Sequence, residues 1–309
     1  MKPKINFTCT NAGWIFEAWK SLYLCQAPDS VRLAISNKPL RDADAWIFPR
    51  APEIHTTPDP QRTVVQFHDT LTDGRYAIGG CAESVRHCLG FSLTHPEQEK
   101  ILTKSGIDLS TKRILFCPTG AREIFQLRED LSSEFIIAWV GRPYARKRLG
   151  DFIRIAEQVK DIARVILLGA NLERTAKALC NKGIECEVHP VEPIDQAPTQ
   201  YKRFDCVVIT SEPGEGGPVP LFESLATGVP VVSTPTGWAP HLIKNGENGF
   251  LIMSAAEATR AIMQIYEHRK EWFNRRESIR NKFGPFSMER WAQQNIRFAH
   301  ELAKGGPRC

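Results

Sequence analysis

Two doubly wound α/β domains, one following the other, are what this sequence predicts, on three observations. Short runs rich in apolar and β-branched residues recur along its 309 residues in two successive series. They are continuous rather than alternating, the pattern of parallel strands covered on both faces. Helical stretches separate them, so strand and helix alternate as in open α/β sheets. The length agrees, since it exceeds one average domain and suits two at ~100–200 residues each.

The first series of strand-like runs covers 5–9, 31–35, 45–48, 64–67 and 114–117. The helix after Gly13 carries Trp14, Phe16, Trp19 and Tyr23. That aromatic face reads first as packing on its own sheet, and otherwise as the lining of an acceptor groove or a contact with a membrane surface. Residues 50–63, with Pro52, Pro58 and Pro60, lack periodicity and predict a loop in place of a helix. The second series covers 135–140, 165–168, 206–209 and 231–233. Between its first two runs, Phe152, Ile155, Ala156 and Val159 recur at i, i+3, i+4 and i+7, one face of a helix. The polar stretch 126–134 sets the domain break, giving units 1–134 and 135–285. A last helix over 286–303, with Trp291, Ile296, Phe298 and Leu302 for burial, is expected to pack back on the first domain.

Composition removes several classes of protein. Apolar residues at 42% and charged residues at 24% are ordinary for a globular chain and exclude wholesale disorder. No apolar run reaches the ~18 residues that a membrane-spanning helix needs. Met1-Lys2-Pro3-Lys4 and the short strand-like run after it do not form a signal peptide, so a cytoplasmic location is expected. The nine cysteines are odd in number and contain no C-x-x-C pair. Cys9, Cys117 and Cys206 read as small buried hydrophobes, and Cys180 and Cys186 lack the partner pair of a four-ligand metal site. The net charge of +5 is asymmetric: Lys+Arg and Asp+Glu are 16 each up to residue 134, then 24 against 19. This suits an anionic partner for the second half, or equally a solvated basic face.

Two segments carry chemistry. Residues 211–234, SEPGEGGPVPLFESLATGVPVVST, read as a strand end, a Gly-rich loop, and a helix opened by Pro218 and Pro220 and stopped at Gly228. Such a helix start offers backbone N–H groups to an anion. Glu215 and Glu223 would repel a phosphate, but they suit it if they accept hydrogen bonds from sugar or ribose hydroxyls. Taken singly, Glu223 reads first as a first-turn acid favoured by the helix dipole. Residues 139–150, WVGRPYARKRLG, end a strand at Gly141 and follow it with Arg142, Arg146, Lys147 and Arg148. Cations at the C-terminal edge of a parallel strand sit where ligands bind in open α/β sheets, and they suit phosphate or a nucleic-acid backbone.

Taken together, Gly141-Arg142, Lys147, Glu215-x7-Glu223, Gly228-Val-Pro-Val-Val and Asn245-Gly246-Glu247-Asn248-Gly249-Phe250 resemble the donor-binding domain of GT-B glycosyltransferases, most of all retaining glycosyltransferase family 4 ("glycosyl transferases group 1"). The resemblance covers roughly residues 114 to 252. It implies two Rossmann-like doubly wound domains facing a central cleft, and transfer of a sugar from a nucleotide-sugar donor to a hydroxyl acceptor. By the same resemblance Arg142 and Lys147 grip the donor diphosphate and Glu223 holds the ribose. Glu215 contacts the transferred sugar, and Gly141, Gly216, Gly217 and Pro218 line the donor. It implies neither metal nor other cofactor, the basic side chains and a helix start doing the cation's work.

The N-terminal half is shorter than in most relatives. Asn11-Ala12-Gly13 stands where the family has a glycine-rich loop, and Gly13 alone is retained. The run 64–69 ends in His68-Asp69, which makes His68 the candidate for contact with sugar or acceptor; a structural histidine is the even alternative. Pro118-Thr119-Gly120 matches the family's turn before the interdomain region. The acceptor expected first is a cell-envelope glycan or its lipid-linked precursor, with peripheral membrane contact compatible. The alternative is a modified base in DNA, tracked by Arg269, Lys270, Arg275, Arg276 and Arg280. A protein that binds sugar nucleotide without turnover is the third reading, and a GT-B epimerase a smaller one.

Overall fold

The computed structural model describes residues 2–9, 14–68, 70, 78–190, 196–284 and 286–305, and within 14–17 the backbone alone. Asn11, Ala12, Gly13 and Asp69 lie outside the described residues. The chain divides into two compact units: Met1–Thr119, Gly214–Gly217 and Ser287–Cys309 form one, and Gly120–Pro213 with Pro218–Phe286 the other.

The first unit contains β1 (Lys4–Thr8), α1 (Trp14–Gln26), β2 (Arg32–Ser36), β3 (Ala45–Phe48) and β4 (Thr63–Phe67). It continues through α2 (Ile78–Val85), β5 (Gly90–Leu93), α3 (Glu97–Lys104) and β6 (Arg113–Phe116). All strand pairs are parallel, in the order β2-β1-β3-β4-β5-β6. Every residue of β3, β4 and β5 is buried, as covering on both faces requires. Trp46, Phe48, Val65, Phe67, Phe91 and Leu93 build the core with α2 and α3. The polar stretch 50–63 holds two short 3-10 turns, Ala51–Thr56 and Pro60–Arg62, and no α-helix.

The second unit repeats the pattern. It contains β7 (Ile136–Val140), α4 (Leu149–Gln158), β8 (Arg164–Leu168), α5 (Glu173–Cys180), β9 (Cys186–His189) and α6 (Ala197–Tyr201). Then follow β10 (Cys206–Ile209), α7 (Val219–Ala226), β11 (Val231–Ser233), α8 (Ala239–Leu242) and β12 (Gly249–Leu251). Three helices end it: α9 (Ala255–Glu267), α10 (Arg269–Asn274) and α11 (Arg276–Phe283). The sheet is parallel, ordered β12-β11-β10-β7-β8-β9, so the order reverses between β7 and β10. Such a switch point is where open α/β sheets bind ligands. Phe152, Ile155, Ala156 and Val159 are all at most 2% exposed, and α4 packs beside α9.

The last helix, α12 (Met288–Ala303), belongs to the first unit and packs on α1 and β3. Trp291 and Ile296 are fully buried there. Gly90 explains how closely it lies: a Cβ at that position would sit 2.6 Å from Leu302 Cδ1 and 2.9 Å from the Thr63 carbonyl.

The first unit ends at Thr119 rather than at residue 134, and the intervening polar segment is part of the second. The reason is buried chemistry inside it. Arg128, 2% exposed, donates to the Phe204 carbonyl at 2.7 Å and stacks over Phe273. Beside it, Asp205 accepts from Arg269 Nε and Nη2 at 2.8 Å each and from the Ile136 amide at 2.9 Å. Burial brings the Arg128 guanidinium down to about 10 despite Asp205, which still leaves it charged at neutral pH.

Three of the five basic residues considered for a nucleic-acid backbone have internal tasks. Arg269 is locked on Asp205, Arg276 stacks 4.5 Å over Phe273, and Arg275 donates to the Gly246 carbonyl. Among the described residues no helix is long and apolar enough to cross a membrane.

Candidate active site

In the second unit the chemistry begins at the C-terminal end of β7. Gly141 takes φ 147°, and its amide donates to the Leu168 carbonyl of β8. Gly169, the residue after β8, has no room for a side chain: a Cβ would lie 1.9 Å from the Gly141 carbonyl oxygen. Two backbones thus close in side by side at the end of neighbouring strands. The turn that follows carries Arg142 and Lys147 and ends at Arg148, held in the left-handed region at φ 47° although it is not glycine. Thr210 Oγ1, just beyond β10, donates to the Lys147 carbonyl at 2.8 Å, and the Glu212 amide donates to the Arg146 carbonyl. The turn is therefore pinned from both sides of the switch point.

A freely solvated run of charges does not fit these observations. Arg142 and Lys147 are half-buried, and Arg142 Nε is buried without a hydrogen-bond partner while Nη1 reaches Tyr144 Oη at 3.3 Å.

Glu223 occupies the second turn of α7, so the first-turn reading is corrected: no acid lies in that helix's first turn. The side chain is 6% exposed, and Tyr201 Oη donates to its Oε2 at 2.6 Å. Burial pushes the Glu223 carboxyl up to about 7, against the Tyr201 hydrogen bond and the Arg122 charge, which both hold it down. Phe125 packs edge-on against the Tyr201 ring at 5.2 Å. The segment that the sequence presents as a polar connection thus supports the buried acid through Arg122 and Phe125. Pro218 caps α7 in an extended conformation, and Gly228 closes it at φ 73°.

The motif that reads as one stretch is divided between the units. Gly214–Gly217, with Glu215, Gly216 and Gly217, belongs to the first unit, whereas Pro218 and Glu223 belong to the second. Gly216 presses on the end of β4: a Cβ there would lie 2.0 Å from the His68 carbonyl oxygen. The Thr70 amide donates to the Gly214 carbonyl at 2.8 Å, and Glu215 is 5% exposed. His68 and the glutamate loop are thereby neighbours, which their separation in sequence conceals.

His68 itself sits among aromatic rings, 4.6 Å from Trp19 and 5.8 Å from Trp291. The residue keeps some exposure, but its ring Nε2 is buried without a partner. Burial holds the imidazole down at about 4, opposing the backbone hydrogen bond to Pro49. It is a neutral ring at physiological pH. The same packing accounts for the aromatic face of α1, where Trp19 and Tyr23 are buried; Trp14 and Phe16 have no described side chains. Among the described residues no group of three His, Cys, Asp or Glu is placed to hold a metal, and the eight described cysteines are in no disulfide.

Tyr201, Arg122 and Gly169 escape the sequence reading. Gly169 alone leaves a trace, as a glycine directly after a strand-like run. Tyr201 reaches Glu223 only through the packing of α6 on α7.

Two parallel six-stranded doubly wound sheets give the chain the GT-B architecture. Residues 134–268 match the family described as Glycosyl transferases group 1, the group the donor-side motifs resemble. Solved structures agree in fold. Sucrose-phosphate synthase from Thermosynechococcus elongatus superposes with a TM-score of 0.77 at 13% identity, over 99% of this chain and all of that one. Anabaena Alr3699/HepE, in complex with UDP and glucose, gives 0.74 at 12% identity, over 96% of this chain and 98% of that one. A mutant of S. aureus TarM, in complex with fondaparinux, alpha-GlcNAc-glycerol and UDP, gives 0.68 at 17% identity over 83% of this chain. This chain spans only 56% of that TarM chain. No curated protein matches it in sequence.

Proposed function

We propose that the protein is a retaining glycosyltransferase that moves a sugar from a nucleotide-sugar donor to a hydroxyl of a cell-envelope glycan or its lipid-linked precursor. One observation carries the donor side. At the switch point of the second sheet, a cation-bearing turn is clamped between Gly169 and Thr210, and the helix after β10 presents a buried glutamate. Cations suit the diphosphate, and a carboxylate suits ribose hydroxyls. Arg142 and Lys147 neutralise the charge developing on the leaving diphosphate, so the reading requires no metal. Glu223 accepts from the ribose, and Glu215 accepts from the transferred sugar. Gly141, Gly216, Gly217 and Pro218 shape the donor's surroundings, and Gly13, outside the described residues, stands in the family's glycine-rich loop. His68, as a neutral imidazole, offers a hydrogen bond to sugar or acceptor rather than a charge. The leaving phosphate takes the acceptor's proton, which removes the need for a dedicated side-chain base.

UDP is the nucleotide to test first, since it occupies both HepE and TarM. The envelope acceptor is preferred over DNA because Arg269, Arg275 and Arg276 are engaged within their own unit. Thermal unfolding with UDP, GDP, ADP and dTDP, without added metal, tests the donor. A nucleotide at 100 times its dissociation constant raises stability by about 2.7 kcal/mol. A shift from one nucleotide supports the reading, and no shift from any of the four removes it. Arg142→Ala is expected to weaken UDP binding about tenfold or more, the worth of charge-assisted hydrogen bonds of ~1.5–3 kcal/mol, while uridine binding is unchanged. Calorimetric titration of both ligands makes that comparison.

A further inference from the structure

The first sheet has a concave feature at the edge away from His68. Its strands are parallel, so the segments that lead into β4, β5 and β6 gather at one edge. A cavity of about 390 Å³ lies there, within the ~300–1,000 Å³ of small-molecule sites. Arg86, Lys112 and Arg113 line it, and no carboxylate does.

Three cations around a hollow are ordinarily a solvated, ion-paired face. Arg86 follows that pattern, with Glu83 at 3.1 Å and both side chains at least half exposed, a weak pairing. Arg113 is held more tightly: its Nη2 meets Glu301 at 2.8 Å, its guanidinium lies 5.6 Å over the Phe298 ring, and Nη1 is buried without a hydrogen-bond partner. Lys112 Nζ spends one proton on the Arg86 carbonyl at 2.5 Å and lies 5.6 Å over the Phe91 ring. Burial lowers its affinity for its proton, so a bound anion would relieve it.

The remaining wall is of a different kind. The hydroxyl protons of Ser110 and Thr111 both go to Asp108, to its Oδ1 at 2.6 Å and its carbonyl at 2.9 Å. Their oxygens are left to accept from a ligand's hydroxyls. Cys88, also in the wall, has its thiol pushed up to about 12 by burial, which keeps it protonated at neutral pH.

We infer that this cavity is a binding site for a phosphomonoester, its phosphate held by Arg86, Lys112 and Arg113 and its hydroxyl-bearing portion by Ser110 and Thr111. The site is separate from the donor chemistry and stands or falls independently of it.

Amide NMR of the full chain, titrated with inorganic phosphate, glucose 6-phosphate and glucose, tests the site. Both phosphates are expected to shift the amides of 88–90 and 110–113, and glucose to leave them still. Tighter binding of glucose 6-phosphate than of inorganic phosphate supports the phosphomonoester; equal affinity overturns the role of Ser110 and Thr111. Lys112→Glu should weaken both at least tenfold while leaving UDP affinity and the fold, read by circular dichroism, unchanged. Shifts confined to 141–148, no shift at all, or shifts that survive Lys112→Glu overturn the inference.

Discussion

Glu223 accepts a buried hydrogen bond from Tyr201 at 2.6 Å, and its protonation has consequences that can be measured. A carboxyl near 7 instead of 4.5 binds a proton in the folded state across a range where the unfolded chain has lost it. Stability therefore falls as pH rises from about 4.5 to about 7, and Glu223→Gln should flatten that slope in denaturant melts. Nucleotide binding runs the other way. In the proposed role the ionised carboxylate accepts from ribose hydroxyls, so affinity should be full above about 7 and lost as pH falls through it. Tyr201→Phe removes a hydrogen bond that favours the ion. The midpoint should move to higher pH, and UDP affinity at neutral pH should drop about fivefold, for ~1 kcal/mol. A purely structural tyrosine would lower affinity without moving the midpoint, so titrations from pH 6 to 9 distinguish the roles. His68 has the opposite sign. Its ring, down at about 4 from 6.5, is neutral when folded and protonated when unfolded, so its contribution is lost as pH falls through that window.

At the scale of elements, close backbone approach and buried charge set the tolerances. Gly169→Ala would bring a Cβ to 1.9 Å from the Gly141 carbonyl, so the turn bearing Arg142 and Lys147 must move. The expected result is a folded protein whose UDP affinity is reduced about tenfold or more, measured by calorimetry beside circular dichroism. Asp205 ties the start of β7 to α10 and faces the buried Arg128. Asp205→Ala would leave two guanidinium groups uncompensated and should cost about 3–5 kcal/mol in urea unfolding. Both sites depend on contacts between segments far apart in the chain. The strand-like run 206–209 discloses β10, but nothing near it announces that the aspartate ahead of it receives an arginine sixty-four residues later.

For the whole molecule, the decisive element is α12. It is last among the described helices and yet completes the first unit, where Trp291, Ile296, Phe298 and Leu302 are at most 7% exposed. At about 1.5–3 kcal/mol for each buried large side chain, these four rival the ~5–15 kcal/mol that holds a typical domain folded. Deleting 287–309 should unfold the first unit and leave the second, which keeps Phe286, folded. Limited proteolysis followed by mass spectrometry should then recover fragments from 120–286 alone.

Nine of the twelve described strands are visible as apolar runs, the two edge strands β2 and β6 among them although they are only partly buried. The other three, β5, β9 and β12, begin with glycine or mix in charge: Gly-Phe-Ser-Leu, Cys-Glu-Val-His and Gly-Phe-Leu. They are strands because neighbours supply their hydrogen bonds, not because of local preference. The donor-side motifs are legible for a related reason. A glycine and cations after one strand, and a proline-opened helix after another, are each local features, so each can be read along the chain. Local sequence thus carries the alternation of strand and helix, the two sheets and the residues proposed to face a donor. Tertiary structure alone assigns Tyr201 to Glu223, sets Gly216 on His68, divides the glutamate motif between two units and returns α12 to the first. Each of these is a contact between distant segments, specified by shape and buried polarity, and neither leaves a periodicity for a single sequence to display.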